Sequence, residues 1–292
     1  MILIAESINI MSQTLGPAMR ERNPKPIQDM AIAEEKAGAD YLDVNIGPAR
    51  RNGDEMMDWV VKTVQEVSDL PLSLDTTNPV AMEAGLMAAK NKPLINSISL
   101  QPDRLAAELP FVAKYKADMI GLLWGVEGMP RDANERAMHA VDIVYQAGEQ
   151  GIAPENIWID PIVSPVSVEI NQVKACIEFM GMLSEVAPGC KSTVGLSNIS
   201  NGTPANLRPM LNRTYMIMLM RNGLYSAIVD VFDNELVKIA KGEMPEIVDI
   251  VYKAMDGEAI DLSSVSEKEA QYAKTVRGLT GESLYSHSWL EV

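Results

Sequence analysis

Only two cysteines and two histidines occur among the 292 residues. Cys176 and Cys190 form no CxxC pair, and with His139 and His287 as their only companions they make a poor zinc ligand set. No metal site is expected, and both cysteines read as ordinary packed or exposed thiols. The same shortage argues against histidine-based acid–base or nucleophilic catalysis. Basic residues are also outnumbered: 25 Lys and Arg against 40 Asp and Glu leave a net charge of −15, which denies the chain the basic face that nucleic acid requires. No apolar run approaches the roughly 20 residues of a membrane span. The opening MILIAESINI has no basic residue ahead of its apolar stretch and carries Glu6 within it, so it reads as a first strand and not as a secretory signal. A soluble, cytoplasmic protein without nucleic-acid or membrane partners is the expectation.

What is present is a repeat of alternation. Short strands rich in Val, Ile and Leu are expected at Ile2–Glu6, Tyr41–Asn45, Leu72–Asp75, Leu94–Ser97, Met119–Leu123, Ile157–Asp160, Thr193–Ser197 and Ala227–Asp230. Helical periodicity lies between them. In Asp54–Val67 the residues Met56, Val60, Val61, Val64 and Val67 form one stripe; Ala133–Glu149 and Val168–Val186 behave alike, the latter with Ser167 as the expected N-cap. Gly38 fits a left-handed helix C-terminus, and Pro24, Pro79, Pro102 and Pro209 fit first turns, where no helical hydrogen bond is lost. Eight such β-then-α units without a composition break predict an α/β fold, a single (β/α)₈ barrel over residues 1–255. An open doubly wound sheet is the alternative, but no Gly-rich dinucleotide turn follows the first strand. Residues 256–292 form a C-terminal extension with a short helix expected at Glu267–Val276 and an aromatic tail, read as a surface or subunit contact.

The polar residues are placed less evenly than the strands. Glu6, Asn45, Asp75, Asn96, Asp160 and Asn198 stand at or just beyond the C-terminal limits of expected strands, and Asp43 shares a face with Asn45. In a barrel of this kind the C-terminal rim carries the active site. One such residue alone reads equally well as a helix cap or loop brace. Five from Asn45 to Asn198 read better as a ligand ring, because capping does not aim side chains at one axis. Glu6 and Asp43 read equally as members of a rim hydrogen-bond network or as direct contacts. No Lys or Arg cluster shares these strand ends, which disfavours a phosphate-rich ligand. Carboxylates with carboxamides suit a flat, uncharged heterocycle that both donates and accepts hydrogen bonds, the character of a pterin.

Seven strings in register, AESIN (5–9), YLDVNIGP (41–48), LDTTN (74–78), INSIS (95–99), IDPIV (159–163), GLSNIS (195–200) and RPMLNRT (208–214), resemble the pterin-binding methyltransferases. That family includes the methyltetrahydrofolate–corrinoid iron–sulfur protein methyltransferases of acetogens, the folate-binding domain of cobalamin-dependent methionine synthase and the methyltransferase components of O-demethylase systems. The resemblance spans about residues 1–255. It implies that Asp75, Asn96 and Asp160 hold the pterin ring, that Asn198 lies near its N5, and that Gly195, Ser197 and Arg208 surround them. The loop ISNGTPANL (199–207) departs from the family, having Asn201 and Gly202 where a glutamine-rich stretch is expected, and Asn201 is a further candidate contact.

The implied substrates are tetrahydrofolate or methyltetrahydrofolate and a corrinoid (cobalamin) carried by a partner protein, in a homodimeric enzyme. Asn198 is expected to act catalytically, as a movable hydrogen-bond donor to N5. The corrinoid protein is expected to dock on the rim, at the long loop after strand seven and at Trp124–Asn134; Trp124 itself reads chiefly as rim packing. Two other readings stand beside this one. A dihydropteroate synthase would need a basic, His-containing motif near strand eight, where the chain has IVDVFDNE (228–235). A non-catalytic folate-binding protein would need nothing special beside N5.

Overall fold

The computed structural model describes residues 1–291, which form a (β/α)₈ barrel. In chain order the first half runs β1 (Ile2–Ala5), α1 (Leu15–Glu21), α2 (Pro24–Ala37), β2 (Tyr41–Asn45), α3 (Gly53–Gln65), β3 (Leu72–Asp75), α4 (Pro79–Ala88), β4 (Leu94–Ser99) and α5 (Pro102–Tyr115). The second half runs β5 (Asp118–Leu122), α6 (Ala133–Glu149), β6 (Ile157–Asp160), α7 (Ile170–Val186), β7 (Lys191–Ser192), α8 (Arg208–Arg221), β8 (Ser226–Val229), α9 (Asn234–Ala240), α10 (Pro245–Met255) and α11 (Glu267–Thr280). All pairings are parallel, in the order β7-β6-β5-β4-β3-β2-β1-β8. The ring closes between β7 and β8 through a bridge of Gly195 with Ile228, where the Ile228 N–H donates to Val194 O at 2.8 Å. Among the described residues no helix is long and apolar enough to cross a membrane.

The expected strands β2, β3 and β6 match residue for residue, and α6 has the expected bounds. Gly38 does cap α2 in the left-handed region (φ 107°), and Pro24, Pro79 and Pro102 open their helices. Two expectations need correcting. Ser167 does not cap α7; its hydroxyl donates to Asn201 O, and the Glu169 carboxylate takes the cap by accepting from Asn171 N. The seventh strand is not Thr193–Ser197. It stops at Ser192, and Leu196–Ser200 is a single 3₁₀ turn. The physical reason is in GLSNIS: Leu196 and Ile199 are both buried three residues apart, a 3₁₀ spacing and not a strand's period of two. Its Ser and Asn side chains bond locally, Ser200 Oγ to Ser197 O (3.2 Å) and Asn201 Nδ2 to Asn198 Oδ1 (3.2 Å), in competition with the ladder.

Alternation along the strands sorts side chains into two layers. Leu3, Ala5, Leu42, Val44, Leu72, Leu74, Ile157, Ile159, Ala227 and Val229 belong to the main core shared with the helices. Ile4, Leu94, Ile120 and Trp158 form a second cluster with Ile2, Tyr41 and Ile228, which is the packed interior of the barrel. Three of the chain's sparse aromatics meet there. Trp158 meets Tyr41 and Tyr225 edge-on (5.5 and 5.1 Å), and Lys191 Nζ lies 5.1 Å from the indole centre and 5.2 Å from the Tyr225 ring. These residues stopper the barrel's lower half, so its inner polar residues face the upper mouth.

The segment after α10 packs onto the barrel wall. Helix α11 lies against α8, α10 and α7, and extends to Thr280, beyond the expected end at Val276. Trp289 is buried, donates to Thr275 Oγ1 (2.9 Å) and stacks on Tyr285. Trp158 carries the interior packing, so Trp158→Ala should cost about 3–5 kcal/mol of unfolding free energy. Its indole N–H finds no acceptor among the described residues, so Trp158→Phe should cost under about 2 kcal/mol; chemical denaturation of both variants measures the difference.

Candidate functional site

Continuing the inward-facing series of β1, β2, β3, β4, β6 and β8 upward, the side chains turn polar within two residues, whereas on β5 Ile120 is followed by Leu122. Tyr41 is followed by Asp43 and Asn45, Ser73 by Asp75, Leu94 by Asn96, Trp158 by Asp160, Ile4 by Glu6 and Ile228 by Asp230. Asn45, Asp75 and Asn96 are lateral neighbours in register on β2, β3 and β4, so they point the same way. At β4 the ladder with β5 carries one extra residue between Ile95 and Ile98, a bulge of the sort that re-aims side chains next to active sites. The Asn96–Ser97 peptide there is cis.

Three groups result. In the first, Asp43 accepts from Ser73 Oγ (2.6 Å) and Asn96 Nδ2 (3.0 Å), while Asn45 Nδ2 donates to Asp75 and Asn45 Oδ1 accepts from Gly47 N (2.9 Å). Burial pushes the Asp43 carboxyl up to about 6 against the pull of its two donors. Asp75 is raised well above the ordinary carboxylate range, by burial first and by the charge of Asp43 second. Arg104 of α5 reaches towards this group but is spent on Ser97 O (2.7 Å), Thr77 O (2.8 Å) and the buried Glu108 (2.7 Å).

Asp160 stands apart. Its Oδ1 accepts from Ile162 N (2.8 Å), and among the described residues no hydrogen bond joins it to the other groups. Burial raises it to about 6. The turn that orients it is held from below by Arg136, a fully buried guanidinium on α6 that donates to Pro161 O (2.8 Å) and Gln172 Oε1 (2.7 Å). Ile162 itself sits at φ 66°, a costly position for a β-branched residue directly beyond that hydrogen bond.

The third group gathers at β1 and the 3₁₀ turn. Ser197 Oγ donates to Glu6 (2.7 Å), whose carboxyl is raised by burial and by Asp230 and Asp43. Asn198 is exposed at the rim, above Gly195: a Cβ on Gly195 would come within 3.2 Å of Asn198 Nδ2, so the glycine makes room for that amide. Arg208, the first residue of α8, braces the turn through Ser200 Oγ (3.1 Å), Ser197 O (3.5 Å) and Asn201 Oδ1 (3.4 Å). The loop beyond is tied to the C-terminal segment, where Thr203 and Tyr285 share a 2.7 Å hydrogen bond. A cavity of about 430 Å³ opens beside this group among Glu6, Ser197, Arg208, Asn212, Asp230 and Phe232. A larger hollow of about 660 Å³, lined by Lys90, Lys92 and Lys116, lies at the opposite face, at the strand starts. In barrels that face serves stability; the smaller cavity is at the mouth, and of the candidates it is lined by Glu6, Ser197 and Arg208, not by Asp75, Asn96, Asp160 or Asn198.

Sequence reasoning passes over Ser73 and Asp230, although both continue inward series that it identifies. It also passes over Arg136 and Glu34, which stand on helices with no local signal. Glu34 is buried on α2, accepts Ser7 N (2.7 Å) next to Glu6, and is pushed up to about 7 by burial.

A closed parallel barrel with half-buried carboxyls and carboxamides at one mouth falls in the ligand-binding class of barrels, and the chain belongs to the pterin binding enzyme family, whose model matches residues 13–230. It is 32% identical over 235 residues to the methylcorrinoid:tetrahydrofolate methyltransferase of Eubacterium limosum, covering 79% of this chain and 85% of that one. It is 27% identical over 239 residues to methionine synthase of Mycobacterium tuberculosis, of which the matched stretch is 20%. Among solved structures it resembles 7,8-dihydropteroate synthase from Vibrio fischeri (TM-score 0.63, 15% identity, 84% and 93% of the two chains). It also resembles dihydropteroate synthase from Xanthomonas albilineans (TM-score 0.60, 17% identity, 83% and 93%). At such identities these likenesses establish the fold alone.

The raised Asp160 carboxyl has a stability consequence. A carboxyl whose folded pKa exceeds its unfolded value binds more protons in the native state between the two, so its ionisation destabilises the fold as pH rises from about 4 through about 6. Asp160→Asn should therefore raise Tm relative to the parent at pH 8, with the advantage shrinking as pH falls towards 4. A difference independent of pH would contradict this account of Asp160.

Proposed function

We propose that the chain is a methyltransferase that moves a methyl group between N5 of tetrahydrofolate and the cobalt of a corrinoid held by a partner protein. The observation that carries the reading is the set of inward carboxyls and carboxamides closing β2, β3, β4 and β6, its acids buried (Asp43) or half-buried (Asp75, Asp160) and raised in pKa by desolvation at the upper mouth of the barrel. Such groups are expensive unless a ligand supplies donors. The similarity to the Eubacterium limosum enzyme selects methyl transfer among the reactions a pterin site can serve.

The roles follow from hydrogen-bond inventory. Asp75 and Asp160 accept from the pterin's amino group and ring N–H, and Asn96 offers a carboxamide to the carbonyl edge. Asn198 donates to N5. When N5 receives the methyl it loses one proton, and when it gives the methyl up it regains one, while the bonding electron pair stays with the group the methyl leaves. Carboxyls held near neutrality are matched to that proton traffic, directly or through water. Most of the acceleration comes from alignment of donor and acceptor, for which effective molarities reach about 10⁵–10⁸ M. A catalyst lowers the barrier equally in both directions, so the physiological direction follows the supply of methylated corrinoid or methylated folate. Both a cytoplasmic location and a homodimer fit this reading; an exposed apolar stripe of Met138, Val141 and Tyr145 on α6 supports the latter.

The test is a spectral assay with methylcobalamin and tetrahydrofolate. Transfer is expected; tight folate binding without transfer would instead establish a carrier. Asn198→Ala should lower kcat by about 10²–10³ with little change in folate affinity, as the loss of one transition-state donor does. Equal losses in both would remove Asn198 from that role. Asp75→Asn and Asp160→Asn should weaken folate binding by calorimetry about 10- to 100-fold, the cost of an unmet buried donor.

A further inference from the structure

Asn198 has a carboxamide that presents either N–H or C=O to the barrel mouth, and beside a methylated N5, which can only accept, the N–H alone makes a hydrogen bond. What decides between them lies one step away. Arg208 carries donors only. Its Nη2 stands 3.4 Å from the Asn201 side chain, so the Asn201 oxygen must face it. The Asn201 amide nitrogen is thereby turned towards Asn198, where it donates to Oδ1 at 3.2 Å. That spends the Asn198 oxygen and leaves Nδ2 above Gly195, free to donate.

Asn201 is held in place independently of its side chain. Its backbone N–H bonds to Asn198 O (3.1 Å) and its carbonyl accepts from Ser167 Oγ (2.9 Å). Arg208 is likewise fixed by Ser200 Oγ and Ser197 O. The polarity of the relay from Arg208 through Asn201 to Asn198 is thus set by a group that cannot accept a hydrogen bond.

We infer that Arg208 and Asn201 are positioning residues that lock the Asn198 carboxamide with its amino group towards N5. The inference rests on the proposed folate site. It makes Asn201, in a loop whose sequence departs from the resembled family, the element that selects donor over acceptor at N5.

The near-isosteric inversion Asn201→Asp tests it. The carboxylate it introduces would accept from Arg208 and from Asn198 alike, turning the Asn198 amino group away from the mouth and presenting its oxygen to N5. Asn201→Ala would only release the lock. Expected, therefore, is the order parent, then Asn201→Ala, then Asn201→Asp in kcat, with the aspartate variant down about 10²-fold or more and the alanine variant down only about 3- to 10-fold. Thermal stability should not follow that order, because the new carboxylate gains a charged partner in Arg208.

A binding readout stands beside activity: the ratio of affinities for methyltetrahydrofolate, whose N5 can only accept, and its 5-deaza analogue, which has no acceptor at that position. The parent should favour methyltetrahydrofolate by a small factor, in keeping with the small affinity change expected of Asn198→Ala, and Asn201→Asp should abolish or reverse that preference. If the parent binds and transfers but Asn201→Asp matches Asn201→Ala in both kcat and affinity ratio, the lock is overturned while the methyltransferase reading stands. If the parent binds no folate, both fall.

Discussion

Closing eight parallel strands into a ring leaves each strand's inward side chains nowhere to go but the barrel axis, and the whole site depends on that constraint. Below, Ile4, Leu94, Ile120 and Trp158 fill the space with apolar volume. Above, the same alternation delivers Glu6, Asp43, Asp75, Asn96 and Asp160 into a confined mouth that water reaches from one side. Desolvation is the first cause of every raised carboxyl among them. The barrel thus raises its mouth carboxyls without histidine, and under the proposed function these would serve the proton at N5 in a chain so poor in that residue.

The site is supported asymmetrically. Asp43 and Asp75 sit in a network made by their own strands, through Ser73, Asn96 and Asn45. Asp160 depends on a helix, because Arg136 of α6 grips the carbonyl of Pro161 in the turn whose next residue, Ile162, donates to the carboxylate. The Asn198 side rests on neither; a short 3₁₀ turn carries Ser197 and Asn198 and is braced by Arg208 and, through Thr203, by Tyr285 of the C-terminal segment. For the proposed methyl transfer, a floor fixed by strands and a separately tethered turn would let one partner stay while a second, protein-sized partner comes and goes.

Much of this architecture is legible along the chain because period-two and helical patterns are local properties. The strands Tyr41–Asn45, Leu72–Asp75 and Ile157–Asp160 match in full, and the carboxamide and two acids that end them lie where the rim is expected. The seventh strand fails for an equally local reason: its Ser and Asn side chains satisfy backbone and one another in a 3₁₀ turn, and Leu196 and Ile199 keep the three-residue spacing of that turn instead of a strand's alternation. Asp230 is within reach by the same logic as Asp75, since it continues the inward series from Ile228.

By itself the sequence determined the repeat, its count and which residue types stand at the strand ends, because those arise from alternation and punctuation along the chain. Only the tertiary structure decided which of those polar groups touch, which stand alone and which way the Asn198 carboxamide faces. Those outcomes depend on Arg136, Arg208 and Tyr285, which reach their partners from other elements of the fold. Long-range packing set them, and no pattern local to Asp160 or Asn198 encodes it.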